Sequence, residues 1–230
     1  PVKSVSLAHS PVSAGLRQEL VDMGNGLEAD YARNPGAVNG KIALVYRGDL
    51  PGPEPATKSL HRSEKTAIAI KHGARGVVII NTVPGGVLLT GTASVTGKLI
   101  PIPAVCIGLE DGLKLKEALK NSKQYVDIHM KNNSGMIRAR NVIATLPGKD
   151  LKAEKIVVGG HLDSWDLATG AIDNGIGSFS VLDMARTFKA LDLKPKRTIE
   201  FVMFMGEEQG LLGSKAYVRE AIKKNTLGSI

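Results

Sequence analysis

Hydrophobic positions in the first half of the chain come in short unbroken runs rather than long helical stripes. Ile42 to Tyr46, Gly76 to Ile80, Ile102 to Ile107 and Tyr125 to Met130 have the length and content of strands. Between them, Ser63 to Lys71, ending near His72-Gly73, and Glu110 to Leu119 repeat apolar residues at helical spacing. The proline- and glycine-rich stretches Leu50 to Pro55 and Pro84 to Gly97 cannot hold long regular elements and are expected as surface loops. Pro101-Ile102-Pro103 fits the start of an edge-limited strand, because proline cannot donate to a ladder. This alternation predicts a small α/β unit.

The pattern changes character at Lys131-Asn132-Asn133-Ser134-Gly135, which reads as a turn or linker. A domain boundary is expected there, with residues 1–134 on one side and 135–230 on the other. Beyond it, Asn141 to Leu146, Lys155 to Gly160 and Thr198 to Met205 predict strands, and Gly175 to Leu191 and Leu211 to Lys223 predict helices. That order fits a doubly wound α/β sheet, in which binding sites collect at the carboxyl ends of strands. Three strands and two helices make only part of such a sheet, so the second domain is expected to be incomplete at its C-terminus.

Composition narrows the classes. A formal charge of +8 is spread over Lys58 to Lys71, Lys114 to Lys131, Lys149 to Lys155 and Lys194 to Arg197 with few aromatics between, which excludes a nucleic-acid reader. No apolar run approaches the roughly 18 to 20 residues of a membrane span. The lone Cys106 lies in an apolar run and is expected to be a buried, inert thiol. The chain starts at Pro1, so a trimmed native start is expected and the lack of a signal peptide carries no information on compartment.

Candidate chemistry gathers after the boundary. Val157-Val158-Gly159-Gly160-His161-Leu162-Asp163 is an apolar strand running out at two glycines into His-X-Asp, and period-two geometry puts His161 and Asp163 on one side. A metal-bound histidine needs its second nitrogen oriented, a task Asp163 is placed to do. A strand-end histidine capped by a nearby acid is the plainer alternative. Asp173 stands among glycines just before a helix, either as a carboxylate that bridges two cations or as a helix cap. Glu207 and Glu208 end a buried-type strand, and their mutual repulsion is relieved either by cations or by solvent in an ordinary turn. All three elements fall on one edge of the same predicted sheet, and this conjunction argues for a metal site.

The runs Gly160-His161-Leu162-Asp163-Ser164-Trp165-Asp166, Gly170-Ala171-Ile172-Asp173, Leu193-Lys194-Pro195-Lys196-Arg197-Thr198 and Glu207-Glu208-Gln209-Gly210 resemble, in order and spacing, the co-catalytic two-zinc exopeptidase family. Glu64 to Asn81 and Ile100 to Cys106 resemble the protease-associated domain that members carry as an insertion. The resemblance covers nearly the whole chain and is sharpest from Asn141 to Gly213. It implies a partial doubly wound zinc-peptidase sheet plus a smaller protease-associated α/β domain. It also implies two zinc ions, with His161 on one, Asp173 bridging both and Glu208 on the other, Glu207 as general base, Asp163 orienting His161, and a cis bond from Asp173 to Asn174. The family pattern has a second acid or similar polar residue where this chain has Asn174.

What the resemblance implies for function is hydrolysis of dipeptides or short peptides, in a secreted or extracytoplasmic setting, and it leaves room for a homodimer. Glu207 would take the proton of the attacking water and pass it to the leaving amine. The three ligands give each zinc two, whereas catalytic zinc usually has three from protein. An aspartate or glutamate and a histidine beyond Ile230 are expected to complete the pair, so a truncated chain is the expectation. The competing readings are a non-catalytic protease-associated interaction module and a deacylase of amino-acid conjugates on the same scaffold.

Overall fold

The computed structural model describes residues 1–48 and 59–230. The expected loop Leu50 to Pro55 lies outside the described residues. The chain divides into two compact units, Pro1–Gly135 and Met136–Ile230.

The first unit runs β1 (Ser4–Ser6), β2 (Ser13–Asp22), α1 (Glu28–Arg33), β3 (Ile42–Tyr46), α2 (Arg62–Lys71), β4 (Gly76–Ile80), β5 (Ala104–Ile107), α3 (Leu109–Asn121) and β6 (Gln124–Lys131). Its six strands form one sheet in the order β1-β5-β4-β3-β2-β6. The pairs β2–β3, β3–β4 and β4–β5 are parallel, and β1 and β6 close the edges antiparallel. A parallel strand is buried on both faces, which is why β3 and β4 read as continuous apolar runs. Ala43, Val45, Val77 and Ile79 point into one core layer, and Ile42, Leu44, Val78 and Ile80 into the other. Cys106 is buried in the first layer, and burial pushes its thiol pKa up.

Three elements of this unit escape the hydrophobic pattern. Strand β2 alternates Leu16, Gln18 and Leu20 with Arg17 and Glu19, and its long-range pairing with β6, rather than apolar content, holds it. Strand β1 and helix α1 are too short to register a period. One expectation is corrected: β5 is not an edge strand but lies between β1 and β4. Pro101 and Pro103 are accommodated because the strand begins only at Ala104, leaving both rings outside the ladder. Residues 84–97 hold no helix or strand, only an isolated bridge between Thr92 and Ala8. Glu110 ties this loop down by accepting the N–H groups of Gly85 at 2.6 Å and Gly86 at 2.9 Å.

The second unit contains β7 (Val142–Leu146), β8 (Leu151–His161), α4 (Gly177–Ala190), β9 (Arg197–Phe204) and α5 (Leu212–Lys223). The three strands lie in the order β7-β9-β8, with β8 parallel and β7 antiparallel to β9. Strand β8 starts earlier than its apolar run because the polar segment ahead of Lys155 still pairs, across a register irregularity between Leu151 and Lys155. Helix α4 starts later than its pattern, after an irregular turn over Ala171–Ile176 in which Asp173 and Asn174 leave helical geometry.

Alternate residues of β9 face opposite helices. Ile199 and Phe201 pack with Val181, Ala185 and Phe188 of α4, and Phe188 meets Phe201 edge-on with ring centroids 6.0 Å apart. On the other side Phe204 meets Tyr217 of α5 edge-on at 5.9 Å. Glu200 shares that side and is only 7% exposed. A buried carboxylate needs partners, and it has them in Lys155 Nζ at 2.7 Å and the Tyr217 hydroxyl. A helix on each face makes the unit doubly wound, as the sequence predicts.

Candidate metal centre

Parallel pairing of β8 with β9 sets His161 opposite Phe204, so both strands run out on the same edge. Leu162 N–H continues the ladder to Phe204 O at 2.8 Å, which draws the segments after the two strands together. His161, Asp163, Glu207 and Glu208 all come from these two strand ends. The third element arrives from the turn ahead of α4, where the peptide bond from Asp173 to Asn174 is cis. The Ser164 hydroxyl donates to Asp173 O at 3.0 Å and fixes that turn against the end of β8. Glycine at 177 leaves room for the Asn174 amide, which a Cβ there would displace.

The orientation of His161 is chemically determined. Its Nδ1 faces the main-chain oxygen of Asp163 at 2.9 Å. A carbonyl can only accept, so Nδ1 carries the proton and, in the neutral ring, Nε2 presents its lone pair. Nε2 faces Asp173 Oδ1 at 3.1 Å and Glu207 Oε2 at 3.8 Å. A lone pair set against two carboxylates is repulsive unless a proton or a cation lies between them. Two ligands at about 2.1 Å from a tetrahedral zinc stand about 3.4 Å apart, so these separations suit such an ion. Ligand atoms of His161, Glu207 and Glu208 all lie within 4.8 Å of one another, the one such grouping among the described residues. Asp173 touches His161 but does not join that group, and its side chain is 75% exposed.

The carboxylate of Asp163 stands 3.8 Å from His161 Nδ1. Its close partners are three successive main-chain N–H groups: Oδ1 accepts from Gly206 at 2.9 Å and Glu207 at 3.0 Å, and Oδ2 accepts from Glu208 at 3.0 Å. The His-X-Asp spacing thus serves two contacts. The main chain of Asp163 holds the imidazole, and its side chain holds the loop that carries both glutamates.

The Glu208 carboxyl is shifted by its surroundings. Burial pushes its carboxyl above the ordinary range, Asp173 and Glu207 push the same way, and the Trp165 indole N–H opposes them by donating to it. Trp165 and the Ser178 hydroxyl, which donates to His161 O, belong to the site but carry no metal-ligand signature. Trp165 had one available signal, as the single tryptophan of the chain placed two residues after Asp163. Ser178, in the first turn of α4, had none.

Both units match known families. Residues 141–229 match the model of Peptidase family M28, and residues 16–115 match that of the PA domain. The chain belongs to peptidase family M28 and carries a PA domain ahead of the peptidase region. Among its relatives are aminopeptidase YwaD of Bacillus subtilis (strain 168), 35% identical across 91% of this chain and 41% of that protein, and carboxypeptidase Q of Mus musculus, 30% identical across 82% and 40%. The solved structure of BSAP, a zinc aminopeptidase from Bacillus subtilis, superposes with a TM-score of 0.67 at 31% identity, covering 95% of this chain and 49% of that one. The chain therefore spans about half the length of the relatives it matches.

Proposed function

We propose that this chain carries the greater part of a two-zinc exopeptidase centre that hydrolyses dipeptides or short peptides. The observation that carries the proposal is the opposition of His161 Nε2 to Asp173 and Glu207 within the His161, Glu207 and Glu208 cluster, a donor set that suits a cation. In this reading His161 and Asp173 would hold one zinc, Asp173 and Glu208 would hold the other, and each ion would need at least one further ligand. Zinc bound there supplies Lewis acidity and a water that ionises near neutral pH.

The chain's own residues supply the proton path. Glu207 takes the proton of the attacking water and delivers it to the leaving amine nitrogen as the amide C–N bond breaks. The Asp163 clasp engages the Glu207 main-chain N–H and leaves its carboxylate facing His161 Nε2. Asp163 holds the imidazole through its main chain and the acidic loop through its side chain. The family resemblance supports reading the reaction as extracytoplasmic, and no described helix is long and apolar enough to cross a membrane.

Zinc content and hydrolysis of dipeptides, set beside N-acyl amino acids, test the proposal in the full-length protein. Zinc with dipeptide turnover supports it. Preferred cleavage of acyl conjugates would make the centre a deacylase, and absence of both zinc and turnover would leave a non-catalytic module.

A further inference from the structure

The segment bearing Glu207 and Glu208 is closed by a residue from outside the acidic cluster. Asn141 stands immediately ahead of β7, whose Val142 lies opposite Met203 of β9. Its Oδ1 accepts the Met205 N–H at 3.0 Å, and its Nδ2 donates to Gly213 O at 2.9 Å. The amide orientation follows from chemistry, because a main-chain N–H needs an acceptor and a carbonyl needs a donor. One side chain thus joins the last residue before the loop to the first residues of α5. Gly213 is buried, and a Cβ on it would overlap both Asn141 Oδ1 and the main chain of Met205, so the two ends meet only because 213 is glycine. Leu212 N–H to Gly206 O at 2.9 Å completes the neck.

The two clasps add up. Met205 donates its N–H to Asn141, and Gly206, Glu207 and Glu208 donate theirs to Asp163. Four successive amides are therefore held by two side chains, one on each flank, and the glutamate side chains leave from that held backbone. We propose that Asn141 is a positioning residue for the reaction: it contacts neither zinc nor substrate, and it fixes where the Glu207 and Glu208 carboxylates stand relative to His161. Asparagine fits the position because it offers an acceptor and a donor at once. Aspartate would keep the acceptor and set a carboxylate against the Gly213 carbonyl.

This inference rests on the two-zinc reading above, and its test separates the two. In the full-length protein, Asn141→Ala lowers kcat on a dipeptide about 10- to 100-fold, the range of a misplaced reacting group, with KM within about twofold. Asn141→Asp falls between Asn141→Ala and the wild type, and Gly213→Ala, which opens the same neck, matches Asn141→Ala. In the zinc-free protein, hydrogen exchange at residues 205–208 speeds up about tenfold in Asn141→Ala, in keeping with loss of the two part-buried hydrogen bonds of Asn141, while the first unit's exchange is unchanged. Wild-type kcat in Asn141→Ala, or a lowered kcat with unaltered exchange at 205–208, overturns the inference. A wild-type protein without zinc or peptidase activity defeats the two-zinc reading instead, and the exchange experiment still decides whether Asn141 holds the loop.

Discussion

The carboxylate of Asp163 accepts the main-chain N–H of Glu208 at 3.0 Å, along with those of Gly206 and Glu207, so the end of β8 holds the acidic tip beyond β9 in place. An ionised acceptor strengthens each of these bonds relative to a neutral one. Asp163→Ala leaves three amides without their acceptor and is expected to cost about 2 kcal/mol of stability and about 10- to 100-fold in zinc affinity. Chemical denaturation and zinc titration of the variant check this. Unchanged zinc affinity would show that the tip is held by other contacts.

Zinc itself is expected to stabilise the second unit. A ligand present at 100 times its dissociation constant adds about 2.7 kcal/mol to the folded state. Thermal unfolding with added zinc and with a chelator reads this directly. A midpoint indifferent to both would mean that the cluster around His161 binds no ion.

The Glu200, Lys155 and Tyr217 network sets a pH window. Burial raises the Glu200 carboxyl, but hydrogen bonds from Lys155 and Tyr217 outweigh it and hold the group below its ordinary 4.5. A depressed folded pKa gives stability that is present above 4.5 and lost as pH falls through the folded value. Burial, then the Glu200 hydrogen bond, pushes Tyr217 up from 10.0 to about 12. A raised folded pKa gives stability that is complete below pH 10.0 and lost as pH rises towards about 12. Glu200→Gln is expected to flatten the stability profile at both ends. Parallel profiles for wild type and variant, measured by urea unfolding from acid to alkaline pH, would contradict the assignment.

Much of this is legible in the sequence. Strands β3 and β4 are read to the residue because a doubly buried parallel strand prints its burial as an unbroken apolar run. The meeting of His161, Asp173 and Glu207 at one sheet edge is legible because each ends a strand or precedes a helix at glycines. Strand β2 is not, since its partners lie on both sides and its composition is half polar. Asn141 is invisible for a related reason: its two partners are 64 and 72 residues away, and no local pattern records them. The division of labour within Asp163 is also beyond sequence, because His-X-Asp spacing does not distinguish a main-chain from a side-chain contact to the imidazole.

The most direct measurement on the central claim is Glu207→Gln in the full-length protein, with bound zinc and dipeptide turnover determined on the same sample. Glutamine keeps the shape of the side chain and cannot take a proton from water. The account expects zinc content equal to wild type and turnover lowered by about 100- to 10,000-fold. Zinc retained with full turnover would contradict it.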